Sequence, residues 1–117
     1  MKLPSIQLLN AVYPTNEDSE TYVGIQESTN RIMHFGKEFN DCRSEIDIHN
    51  VANKCKRWAH TKGYTIIDYI DLDNEEFWTC RAYPYGLNDG FDYEETYQIS
   101  SPEAIFKTCE WILKEIS

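Results

Sequence analysis

Between Asp47 and Lys62 the apolar residues fall into one stripe, and a fold for this chain has to bury it. At 100° per residue, Ile48, Val51, Ala52, Cys55, Trp58 and Ala59 lie within an arc of about 120°. Asn50, Asn53, Lys54, Lys56, Arg57 and His60 lie outside it. Asp47 is a suitable N-cap, and Gly63 suits the position after the last turn. A second helix is predicted near the end. Ser101 caps it, Pro102 takes its first position, and Glu103 sits in its first turn. Its apolar face is Ile105, Phe106, Cys109, Ile112, Leu113 and Ile116. Glu103, Lys107, Glu110 and Lys114 lie opposite, with Lys107 in reach of Glu103 or Glu110. Between these helices come three strand-like stretches, Tyr64–Leu72, Phe77–Tyr83 and Thr96–Ile99. Trp78, Cys80 and Ala82 share one face of the second. Asp73–Glu76 forms one turn, and Asn88-Asp89-Gly90 marks a loop tip.

The first half is shorter in period. Ser5 caps a helix to Tyr13, with Ile6, Leu9 and Tyr13 along one side, and Pro14 ends it. Thr21–Gln26 and Arg31–Phe35 read as a hairpin about the turn Glu27–Asn30. Gly36–Arg43 is polar and reads as loop. The predicted order is α-β-β-α-β-β-β-α. The class is α+β, a single domain over residues 1–117, with an antiparallel sheet and helices packed on one of its faces. A chain of 117 residues is of ordinary single-domain size.

Charge is distributed unevenly. The net charge is −9, with 20 acids and 11 bases. Residues 1–63 hold 8 acids and 8 bases. Residues 64–100 hold 9 acids and one base, Arg81. Residues 101–117 hold 3 acids and 2 bases, so the central stretch carries −8 of the total. Such a surface repels phosphates, so direct nucleic-acid binding is not expected. No stretch approaches the roughly 20 apolar residues of a membrane span. Met1–Ser5 lacks the apolar run of a secretory signal. The expectation is a cytoplasmic protein without membrane contact, its four cysteines free.

Several chemistries fail on geometry. Cys42, His49, Cys55 and His60 suggest a metal set. On the helix, however, Cys55 points roughly 120° away from both histidines, which are themselves about 16 Å apart along the axis. A tetrahedral site needs its ligands converging, so no metal is expected. Asp71-Leu72-Asp73-Asn74-Glu75 opens like a calcium loop. Glu76 then stands where glycine is required and Ala82 where glutamate is required. Cys55, Cys80 and Cys109 fall on apolar faces, where thiols are inert. Cys42, beside Arg43, has no assigned base. No phosphate loop, dinucleotide fingerprint or nucleophile elbow is present. No catalytic residue and no cofactor are assigned, and the balance is against an enzyme.

Residues 64–100 also hold nine of the sixteen aromatics, more than a three-stranded sheet can bury. Tyrosine offers large contact area at low entropy cost. The candidate interaction surface is Tyr83, Tyr85, Asp89, Asp92, Tyr93, Glu94 and Glu95. Its expected partner is a protein with a basic surface. The leading expectation is a non-enzymatic protein–protein interaction module. The alternative is a small-molecule-binding protein or enzyme with an aromatic-walled pocket. A homodimer through an unpaired sheet edge is a third reading.

Three stretches carry a resemblance: Leu3-Pro4-Ser5-Ile6 with Leu8-Leu9-Asn10-Ala11-Val12; Ile48 to Ala59 (IHNVANKCKRWA) with Gly63-Tyr64; and Ser101 to Leu113 (SPEAIFKTCEWIL). In these the chain resembles a group of small proteins of unassigned function encoded in bacterial genomes and their prophages. The shared positions are mostly helix-core and cap positions, so the resemblance speaks to fold and transfers no activity. It implies a phage or mobile-element origin, a setting in which the expected interaction module would modulate a host protein.

Overall fold

The structure is a computed structural model that describes residues 1–70, 73, 77–84, 95–98 and 100–116, with Glu95 and Tyr97 as backbone only. The described elements run α1 (Ile6–Val12), β1 (Thr21–Gln26), β2 (Arg31–Gly36), β3 (Cys42–Glu45), α2 (Ile48–Thr61), β4 (Tyr64–Ile70), β5 (Trp78–Pro84), β6 (Glu95–Gln98) and α3 (Ser101–Ile116). The α+β class holds. The strands form two three-stranded antiparallel sheets, β1-β2-β3 and β4-β5-β6, rather than one.

The extra strand is β3, which begins in the last two residues of the stretch read as loop and runs beyond it. All four of its residues are exposed, so it carries no apolar alternation to betray it. Main-chain pairing with β2 makes it a strand, with a register shift between His34 and Phe35. The connection before it is tightly built. Gly36 N–H donates to Asp41 O and Asn40 N–H to Gly36 O, both at 2.8 Å. Asn40 adopts a left-handed φ of 56°, and its side chain accepts from the Tyr22 hydroxyl at 2.8 Å.

The local helix signals act as predicted. Ser5 Oγ accepts from Leu8 N–H at 3.1 Å. Asp47 accepts from His49 and Asn50 N–H, and Gly63 takes φ 95°. Two details differ. In α1 the buried side chains are Leu8, Leu9 and Val12, while Ile6 is 46% exposed. Apolar residues occur all round this short helix, and packing selects the denser group. In α3 the residue ahead of the first turn is Ser100. Its carbonyl accepts from Ala104 N–H, and its hydroxyl accepts from Glu103 N–H at 3.5 Å. Ser101 is thereby freed to bond elsewhere.

One hydrophobic cluster joins the elements. Its buried members come mostly from α1, α2, α3 and β5; the first sheet supplies Val23 and Ile32. On β5, Cys80 and Ala82 are fully buried beneath the helices, confirming the face that they share with Trp78. Thr96 and Thr108 are buried too. They meet at 3.1 Å, and both donate to Ala104 O, so their hydroxyls are satisfied in the interior.

Candidate functional site

The register of the second sheet sorts residues 64–70 and 78–84 onto two faces. Tyr64↔Pro84, Ile66↔Ala82, Asp68↔Cys80 and Ile70↔Trp78 share the side that holds buried Cys80 and Ala82. Thr65↔Tyr83, Ile67↔Arg81 and Tyr69↔Thr79 therefore share the outer side. β4, which alternates poorly in sequence, does alternate in space.

Asp68 is the polar centre of the helix side. Lys56 Nζ, from α2, donates to Asp68 Oδ1. Ser101 Oγ, from the first turn of α3, donates to Oδ2 at 2.7 Å. One carboxylate thus ties β4 to both covering helices. Burial pushes its pKa up, but the Lys56 and Ser101 hydrogen bonds and the Lys56 charge outweigh burial and hold it below the ordinary 3.8. One of the nine acids of the central stretch is consequently an internal strut. Its partner Lys56 lies outside the apolar stripe of α2, and Lys54 sits 5.1 Å over the Tyr13 ring.

Two of the buried thiols on this side, Cys80 and Cys109, are held in their protonated form. Desolvation pushes Cys80 up to about 11. Cys109 is raised well above 9.0 by its contact with Cys55 and by burial. Only Cys42 is exposed. Among the described residues no three His, Cys, Asp or Glu side chains converge on a metal position. No helix among them is long and apolar enough to cross a membrane.

The outer side is different in kind. Ile67 is 47% and Tyr69 37% exposed. Arg81 lies over the Tyr69 ring at 6.0 Å, and its Nη1 donates to the Tyr83 hydroxyl at 3.2 Å. The one base of the central stretch therefore braces two tyrosines. These two contacts, with its Nε buried, restrict the Arg81 side chain. Thr79 is buried at the register position between Tyr69 and Tyr97.

Of the predicted surface residues, the structure places Tyr83 on this outer face, half-buried. Glu95 lies in β6 opposite Arg81, with its side chain outside the description. Tyr85, Asp89, Asp92, Tyr93 and Glu94 lie outside the described residues. The candidate surface read from sequence does not include Ile67, Tyr69 or Arg81. The usable signal was strand alternation counted outward from Cys80, which assigns Arg81 to the face away from the core. Comparison with known protein families, with curated proteins and with solved structures finds no match for this chain.

Proposed function

We propose that this protein is a non-enzymatic interaction module that docks a partner protein with a basic surface against the outer face of β4 and β5. The observation that carries the reading is the braced Tyr69–Arg81–Tyr83 patch beside exposed Ile67. It supplies what an interface centre needs: aromatic area, an arginine and low entropy loss on binding. Charge supplies the partner's sign. With Asp68 paired internally, the central stretch still has eight acids beyond it (71, 73, 75, 76, 89, 92, 94 and 95). These steer a basic partner and repel nucleic acid. The resemblance to prophage-encoded proteins points to a host protein as that partner.

The test begins with capture of a host protein and proceeds to binding constants with the purified partner. Ile67→Ser combined with Tyr69→Ala should weaken binding by about tenfold or more. Neutralising Asp89, Asp92, Glu94 and Glu95 to Asn or Gln should slow association and flatten its salt dependence. Unchanged binding by both variants, with circular dichroism intact, would sink the reading.

A further inference from the structure

On the helix side, away from the proposed docking face, residues Lys2–Ser5 lie across α3 and enclose a groove of about 500 Å³. This is a normal size for a small-molecule site. Its α3 wall is a single helical face: Glu103, Phe106, Lys107, Glu110, Trp111 and Lys114, spaced 3, 4, 7, 8 and 11 residues from the first. The floor is apolar. Phe106 is 2% exposed, Leu3 and Pro4 close the opposite wall, and half-buried Trp111 is fixed edge-on against Tyr64 at 5.8 Å.

The rim carries three lysines against two glutamates, a formal +1 in a chain of net charge −9. Lys2, Lys107 and Lys114 border the groove with Glu103 and Glu110. Both acids accept from serine hydroxyls. Glu110 accepts from Ser5 Oγ at 2.7 Å, the bond that ties the N-terminal segment down, and Glu103 accepts from Ser100 Oγ at 3.3 Å. Lys2 and Lys107 enter no ion pair among the described residues. The predicted Lys107 pairings with Glu103 or Glu110 do not form.

We infer that this groove binds a small flat organic anion, an aromatic ring bearing a carboxylate, phosphate or sulfonate. The ring would lie against half-buried Trp111, with its charge at Lys2 and Lys107. The excess of lysine selects the anion, and the Trp111 ring in the apolar lining selects a ring over a bare ion. This site goes beyond the proposed docking role and lies on a different face.

The test uses the full chain and two probes, 2-naphthoate and its uncharged counterpart 2-naphthalenemethanol, followed by two-dimensional NMR. Naphthoate should give saturable shifts confined to residues 2–5, Gln98 and 103–114, and should bind at least about threefold tighter than the alcohol. Lys2→Gln with Lys107→Gln, both at exposed positions, should weaken naphthoate about fivefold and leave the alcohol unchanged. Tyr69→Ala should leave naphthoate binding intact, which separates failure here from failure of the docking reading. Equal affinity for acid and alcohol, shifts centred elsewhere, or no saturation would overturn the assignment. So would concentration-dependent self-association that shifts these residues without a probe, because a second copy would then be the occupant.

Discussion

The two sheets have the same size and the same meander order, yet they are held in different ways. The first meets solvent with its polar contacts. Arg31–Glu45 spans 3.6 Å with side chains 61% and 45% exposed, and Arg43–Asp41 is similarly open. Its outer face carries the Tyr22–Phe35 stack, with centroids 5.4 Å apart. The second sheet is roofed by α2 and α3, and its main ion pair lies beneath them, with Asp68 15% and Lys56 33% exposed. Charge on the first sheet decorates a surface; charge in the second also joins layers. A formal charge count treats both alike, whereas their exposures predict different energetic weights.

Thiol reactivity should separate the regions most. Cys42, exposed on β3, should react with a neutral-pH disulfide reagent at least about a thousandfold faster than Cys55, Cys80 and Cys109. Those three must await an opening of the core. A native thiol titration reading one fast thiol and a denatured one reading four would bear this out. Comparable rates for Cys80 would show the second sheet to be the looser one.

Removing the strut comes next. Asp68→Ala strands the Lys56 ammonium and the Ser101 hydroxyl, and should cost about 2–3 kcal/mol in urea unfolding. The effect has a defined pH sense. A carboxyl held below 3.8 in the folded chain contributes fully above its unfolded pKa. That contribution is lost as pH falls through the folded value. The gap between wild type and Asp68→Asn should therefore close below about pH 4. A gap that persists or widens in acid would assign the destabilisation to lost shape instead.

Gly24→Val tests the outer face of the first sheet. A Cβ there comes within 3.1 Å of the Phe35 ring, so the Tyr22–Phe35 stack must shift, at about 1–2 kcal/mol. The smallest effect is expected for Glu45→Ala, under about 0.5 kcal/mol, because its pair is solvated. If Glu45→Ala cost as much as Asp68→Ala, the contrast between the two sheets would be broken.

Much of the frame was legible because its causes are local. The α2 stripe, the Ser5 and Asp47 caps, the turn at Asn30 and the glycine at 63 all act within about four residues, where side chain and backbone meet whatever the rest of the chain does. The central strands were legible for a related reason: the alternation of Trp78, Cys80 and Ala82 is a property of the segment itself. The candidate surface was legible only as a composition, and Tyr83 is its one member whose side chain the structure describes.

What the amino-acid sequence determined by itself was therefore the set of helices, their buried stripes, most of the strands and the concentration of acid and aromatic residues in one stretch. Tertiary structure alone decided that polar Cys42–Glu45 pairs as a strand and that the strands divide into two sheets. It also took Asp68 out of the acidic surface, braced Arg81 between two tyrosines, and joined Ser5 to Glu110 across 105 positions. Each of these depends on a partner distant in the chain. A strand edge, a carboxylate or a hydroxyl can satisfy itself with many such partners, and packing selects which one it meets.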